Sequence, residues 1–394
     1  MQPLILRGPW RRMVSLLSLL MLLVSCGGVD SGGTGTYASG PITGYGSIIV
    51  GGVHYDESTA LVEDETGAPR TRDELQLGMV TEIQASPPEG TASMPTATAT
   101  AVRFRSEIIG PVDAVDAVAG TLKVLGQSIT VGPTTVFDAQ LTGGLAALRI
   151  GDLVEVYGQL DISAKRYTAT RIEPHPTGSQ YKLRGLVTSV NSTLKTFVIG
   201  WQTIDYTNLA DSSAPAVGQL LRVELNPVKV SGVWVASAIE VGTRKIPDRD
   251  NVEVEGRITA FTSTASFAVD GIPVETSADT LYPNGRSGIV LGARVEVVGS
   301  SIDGSLIATQ VRIRGDDGGS TSPFEFSGII QSLNTDTQTF ALRGFTVHWS
   351  DSTKFETGTS AGSLRNGRKA EVKGALSSDG TRLEASSIHV ELGN

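Results

Sequence analysis

Apolar positions recur at every second residue in short runs separated by turn dipeptides, which is the period of half-buried strands and not of helices. Phe267, Val269, Ile272 and Val274 alternate around Asp270-Gly271, a pair that favours the positive φ angles of a tight hairpin. Phe340, Leu342, Phe345 and Val347 repeat the pattern around Arg343-Gly344, and Leu122, Val124, Ile129 and Val131 repeat it around Gly126. A second kind of hairpin is predicted through Asp303-Gly304, Asp379-Gly380 and Ser231-Gly232.

These hairpins fall inside a repeat of about 70 residues that occurs five times. Each unit opens on Gly-x-Ile/Val, with glycines at Gly40, Gly110, Gly185, Gly256 and Gly328, so the steps are 70, 75, 71 and 72 residues. A threonine two residues before an aromatic or leucine follows, at Thr59, Thr135, Thr207, Thr280 and Thr353. A glycine then leads into a strand carrying an acid: Gly78 to Glu82, Gly151 to Glu155, Gly218 to Glu224, Gly292 to Glu296 and Gly367 to Glu371. Every unit closes on Ala-Thr/Ser-x-Ile/Val, beginning at Ala99, Ala169, Ala236, Ala308 and Ala385.

Four units place Leu75, Leu148, Ile289 or Leu364 three residues ahead of the second glycine, which predicts a helical turn capped by that glycine. Three strands, a short helical turn and two more strands give an all-β fold of five tandem small OB-like barrels. A 70-residue unit can close its own core, although it hides only about 60% of its unfolded surface and is marginal alone. The expectation is therefore beads on a string: units at 40–105, 106–175, 180–245, 251–315 and 324–392. The joints around Pro174 to Ser179, Lys245 to Asn251 and Gly315 to Pro323 are dense in Gly, Pro, Ser or Asp, so inter-unit interfaces should be small and polar. Units one and two have almost no joint and should pack together.

The first residues belong to a different system. Arg7, Arg11 and Arg12 precede an uncharged run from Met13 to Val24, too short to span a bilayer, which needs about 20 residues. Residues 1–25 read as an export signal, and Leu23-Val24-Ser25-Cys26 resembles the lipobox of bacterial lipoproteins, whose cysteine receives a lipid. Two or more acyl chains on Cys26 would give stable membrane attachment. Residues 26–39, rich in Gly, Ser and Thr, read as a flexible tether. Gly27 and Gly28, with no aspartate there, resemble the outer-membrane sorting pattern of Gram-negative lipoproteins.

Composition narrows the chemistry. The 394 residues carry 32 Lys+Arg against 41 Asp+Glu, a net charge of −9, and loss of the three signal arginines leaves 29 against 41, or −12. A single cysteine excludes a disulfide framework or a multi-cysteine metal site. Nucleic acid is the natural partner of OB-like barrels, but it asks for a basic groove with stacking aromatics, and an acidic chain with 6% aromatics predicts no nucleic-acid partner. The acids of the Glu strands sit between core-facing valines, as in Val154-Glu155-Val156, and should face solvent or a cross-strand base. The threonines suit a half-exposed strand face. His54, His175, His348 and His389 show no ligand spacing, so no metal or cofactor is predicted.

Gly358-Thr359-Ser360-Ala361-Gly362 matches Gly-x-Ser-x-Gly, with His348, Asp351 and His389 near in sequence. That elbow requires a strand-to-helix turn in an α/β sheet, and Ser360 lies in a small-residue loop of a β unit. No catalytic residue is predicted, and a hydrolase using Ser360 is the alternative reading.

The five-fold pattern resembles the repeat of a bacterial lipoprotein family catalogued as domain of unknown function 5666, over residues 40–392. The family-like features are the Gly-x-Ile/Val opening, Gly-x-x-Val-Glu-Val at Gly151 to Val156 and Gly292 to Val297, and the Ala-Thr-x-Ile close. Unit three departs from it with Pro215 in place of the leucine, and unit one with Thr81 before Glu82. The resemblance implies no activity. The expectation is a non-catalytic, membrane-anchored envelope protein that binds or scaffolds an envelope protein or polymer.

Overall fold

The computed structural model describes residues 33–91, 94–178, 180–209, 214–242, 246–315, 323–356, 358–377 and 380–391. Cys26 and the export signal lie outside them. All five units share one strand order, seen plainly in unit two. Ile108–Asp116 pairs antiparallel with Thr121–Val124, which pairs with Gln127–Thr130. Gln127–Thr130 lies parallel to Arg166–Pro174, which runs antiparallel to Leu153–Asp161, and that strand returns to Ile108–Asp116. The order 1-2-3-5-4-1 closes a five-stranded barrel and leaves strand edges only where strands are not paired within it. The other four units repeat the parallel closing pair, for example Ile272–Leu281 with Ser305–Arg314 in unit four.

The hairpin dipeptides turn as the sequence predicts. Asp270-Gly271 has φ of 52° and 83°, and Arg343-Gly344 has 49° and 85°. The two glycine landmarks of each unit meet in space. In unit two Val112 donates its N–H to the Asp152 carbonyl (2.8 Å) and accepts from Gly151 N–H (2.9 Å). Ile42 with Gly78 and Met79, Val187 with Gly218 and Gln219, Ile258 with Gly292 and Ala293, and Ile330 with Gly367 and Arg368 make the same exchange. The second glycine therefore takes positive φ, 83° to 93° across the units, to aim its N–H back at the opening strand. It does not cap a helix. The turns before it, at Arg72–Glu74, Gly144–Ala147 and Ala361–Ser363, are 3₁₀ turns that end on Leu75, Leu148 and Leu364.

Bulges shape the closing hairpin at equivalent places in all five units. They fall at Gln84/Ala85, Tyr157/Gly158, Glu224/Leu225, Val298/Gly299 and Lys373/Gly374. A bulge bends and twists its strand, which a barrel this small needs in order to close.

Beads on a string is not what the chain forms. Gly33–Pro41, whose residues 33–39 the sequence predicts as part of a flexible tether, is a strand that pairs antiparallel with Val80–Ala85 of unit one and parallel with Arg249–Ser263 of unit four. Tyr37 on it belongs to the buried core of unit four. Gly44–Tyr45 lies parallel to Phe324–Ile329 of unit five. The Tyr45 ring packs on Phe326 and Phe345 with centroids 5.8 and 6.0 Å apart, so the cores of units one and five are continuous. Ile108 and Ile109 pair with Leu183 and Lys182, and units two and three share one core as well. Loops rich in Gly, Pro and Ser connect the units, yet backbone pairing between units overrides them, because any exposed strand edge can accept another strand whatever its side chains.

Candidate functional site

Three places where units meet hold the unusual chemistry. The first is a buried ion cluster. Glu107 sits in the link between Met94–Arg105 and Ile108–Asp116, Arg184 immediately precedes the opening glycine of unit three, and Asp270 occupies the unit-four hairpin turn. Arg184 donates to Glu107 Oε2 and Asp270 Oδ1, both at 3.0 Å, and to the Gly242 carbonyl at 2.9 Å. Arg105 donates to Glu107 Oε1 at 2.6 Å and also pairs with Asp270. Burial pushes the Glu107 carboxyl above its ordinary value although Arg184 pulls it down. Burial opposes the Arg184 charge too, but Glu107 and Asp270 hold its pKa above the ordinary arginine value. Two guanidiniums and two carboxylates from four units pair with one another, which fixes geometry more than it adds stability.

The second is a cleft of about 670 Å³ between units one, two and three. Acids outnumber bases on its walls, with Asp64, Glu65, Glu74, Asp138, Glu155, Glu173 and Glu224 facing Arg70, Arg171 and Lys182. The bases are engaged: Arg70 with Asp64 (2.7 Å), Arg171 with Glu173 (2.6 Å) and Asp138 (2.9 Å), and Lys182 across the unit boundary with Glu65. His175 Nδ1 lies 3.0 Å from Glu155 Oε2. Burial raises the Glu173 carboxyl, whereas at Glu155 burial is outweighed by His175 and Lys182 and the carboxyl is lowered.

The third is a cavity of about 290 Å³ where units one, two, four and five converge. Pro41, Ile42, Ile49 and Phe324 give it an apolar side, and Gln159, Thr170, Arg257 and Arg294 a polar one. Arg257, nearly fully buried, donates to the Gly292 carbonyl (2.8 Å) and Thr168 Oγ1 (3.1 Å). Arg294 donates from Nε to Glu255 (3.0 Å).

The profile of the family described as Domain of unknown function (DUF5666) matches residues 109–173, 184–240, 255–312 and 327–389, four repeats in tandem. The chain belongs to this family. Unit one falls outside the DUF5666 matches, although its strand order is that of the other four. Its second hairpin is lengthened around Pro87-Pro88 and Pro95, and its first strand is shared with unit four. No curated protein matches the chain in sequence. Among solved structures it is similar to drosophila Unr CSD456, at 16% identity and a TM-score of 0.17 over 42% of this chain and 78% of that one. It is also similar to a multidomain protein with nucleic acid binding domains from Streptococcus pneumoniae, at 15% identity and a TM-score of 0.16 over 59% and 76%.

Exclusion of nucleic acid on charge and aromatic content does not stand beside these neighbours, one of which is described by its nucleic acid binding domains. The error lay in applying whole-chain charge to one local surface, since a groove responds to the charges that line it. Nucleic acid is therefore not excluded as a partner of a DUF5666 chain by the charge of the whole chain.

The residues singled out in sequence are dispersed over the DUF5666 units. The Glu-strand acids meet bases near them: Glu296 with Arg312 (2.7 Å) and Arg314, Glu371 with Lys373 (3.4 Å), Glu155 with His175, and Glu82 with Arg105 at 4.0 Å. Thr135, Thr280 and Thr353 are buried, not half-exposed, and donate to the carbonyls of Ala169, Ala308 and Ala385 at 2.7–2.8 Å. The threonine landmark thus ties itself to the closing landmark. Thr207 instead bonds to Asp205. Ser360 is exposed and precedes a 3₁₀ turn with φ −152°, ordinary extended backbone and not a strained elbow. His348 Nδ1 is engaged by Glu384 at 2.6 Å. His54 lies 3.1 Å from Glu325 of unit five.

Sequence reasoning missed the bulge glycines and the ion cluster. Gly158, Gly299 and Gly374 each stand seven residues after their turn glycine (151, 292 and 367), a recurrence that was there to be read. The cluster had no comparable signal: Arg105 and Asp270 are 165 residues apart.

Proposed function

We propose that the chain is a lipid-anchored binding or scaffolding protein of the bacterial cell envelope, without catalytic activity, held to the outer membrane through a lipid on Cys26. One observation supports the scaffold reading: Arg184 of unit three joins acids of units two and four, which holds those units in fixed relation. Five barrels held in fixed relation present several inter-unit surfaces at once, which suits holding partners and not turning over substrate. The lipobox-like Leu23 to Cys26 supplies the address.

The test is made in cells. Wild-type protein should partition into detergent in a processed, lipid-bearing form and crosslink to envelope components, whereas Cys26→Ser should persist as an unlipidated precursor. Unchanged processing and partitioning of Cys26→Ser would overturn the anchor. Labelling by a serine-reactive probe that disappears in Ser360→Ala would overturn the non-catalytic reading.

A further inference from the structure

The cavity at the junction of units one, two, four and five keeps two buried polar atoms without hydrogen-bond partners. Gln159 is 7% exposed and its Nε2 is unpartnered, and so is Thr170 Oγ1. Both residues line the cavity from the paired strands Leu153–Asp161 and Arg166–Pro174. Buried donors without partners are rare because neither water nor protein repays their desolvation, so two on one wall point to an acceptor between them.

The remaining walls define that acceptor. Arg257, Arg294 and Arg314 line the cavity, and each faces an acid, Asp161 (3.7 Å), Glu255 and Glu296, so the walls are nearly balanced in charge and suit at most a monoanion, not a dianion such as phosphate. Pro41, Ile42 and Phe324 offer apolar surface opposite. A mostly apolar pocket with a few convergent polar groups is the ordinary form of a small-molecule site. We propose that this cavity binds a small carboxylate with a short apolar tail, whose oxygens accept from Gln159 and Thr170 near the Arg257 guanidinium. The proposal is separate from the scaffold reading, and neither needs the other.

Hexanoate and hexanol are the probes, titrated calorimetrically into the purified full chain. Hexanoate should bind saturably at one site, with hexanol at least ~10-fold weaker, since a hydrogen bond to a charged group is worth about that factor or more. Gln159→Leu and Thr170→Val keep the side-chain volume and remove the donors, and each should weaken hexanoate by roughly 10-fold while leaving hexanol unchanged. Should either variant fail to fold, a diazirine-bearing hexanoate on the wild-type chain replaces it, and its crosslinks should fall on residues 159–170 or their neighbours across the cavity. Absence of saturable hexanoate binding, equal binding of hexanol, full affinity in both variants, or crosslinks elsewhere would each overturn the carboxylate site.

Discussion

The Arg184 guanidinium lies 3.0 Å from Glu107 Oε2 and 3.0 Å from Asp270 Oδ1, and the two acids belong to units two and four while the arginine belongs to unit three. Glu107 is 1% exposed, so its charge has almost no water to turn to. Units one to four therefore depend on one another at this point, and the loss of one partner should be felt in all of those it touches.

Arg184→Ala should lower the unfolding free energy by about 3–5 kcal/mol, the usual cost of stranding a buried carboxylate by removing its partner. Urea denaturation followed by circular dichroism measures it. A loss under about 1 kcal/mol would show that the cluster is solvated and that the units are held together by strand pairing alone.

Glu253 gives the assembly a pH dependence. It lies on Arg249–Ser263 opposite Ala38 of unit one, and its Oε1 is buried without a hydrogen-bond partner. Burial first, then Glu296 and Glu255, push its carboxyl up to about 8, against the pull of Arg314 and Arg312. A raised acid favours the folded state when protonated, so its contribution is complete below the ordinary glutamate value and is lost as pH rises through about 8. Wild type minus Glu253→Gln stability should therefore fall across that window, by a few kcal/mol at most. A difference that stays flat between pH 4.5 and 8 would contradict it.

What could be read from the sequence was whatever a unit needs in order to close on itself. Hairpin dipeptides such as Asp270-Gly271 demand positive φ, and the alternation of Val154 and Val156 around Glu155 fixes which side is buried, so the barrel and its strand number were legible. Pairing between units was not, because it is written in backbone N–H and C=O groups that every residue carries. Gly33–Pro41 has the composition of a tether, and only its place between Val80–Ala85 and Arg249–Ser263 makes it a strand. Thr135 was visible as a recurrence, but its bond to the Ala169 carbonyl depends on a parallel pairing that sequence spacing does not reveal.

Tyr45 ties units one and five together. Its hydroxyl accepts from Leu77 N–H at 2.7 Å and donates to Gln76 Oε1 at 3.0 Å, while its ring meets Phe326 and Phe345. Tyr45→Phe should cost about 1–2 kcal/mol through the unpaired Leu77 N–H, and Tyr45→Ala about 3–5 kcal/mol through the cavity as well. Amide exchange should speed up in Phe324–Ile329 of Tyr45→Ala and stay unchanged in Ser305–Arg314 of unit four. Equal acceleration in both would mean that unit five does not rest on Tyr45.

The bulge glycines allow a matched comparison inside one protein. A Cβ on Gly158 would stand 2.4 Å from the Thr168 carbonyl oxygen, on Gly299 2.0 Å from that of Ile307, and on Gly374 2.2 Å from that of Glu384. The obstructing atoms are backbone, so the closing hairpin must shift to admit a Cβ, as it already does around Ala85 and Leu225 at the equivalent bulges of units one and three. Gly132, in the loop between Gln127–Thr130 and Val136–Phe137, has no atom within 4 Å of its would-be Cβ and no positive φ. Gly→Ala should therefore cost about 1–3 kcal/mol at 158, 299 and 374 through steric displacement, and should be neutral or stabilising by up to about 1 kcal/mol at 132 through the stiffer unfolded chain. Thermal melts of the four single variants decide it. If alanine at 299 is as harmless as at 132, the closing hairpin does not need the close approach at Gly299, and the recurrence of glycine seven residues after the turn glycine in three of the five units has some other cause.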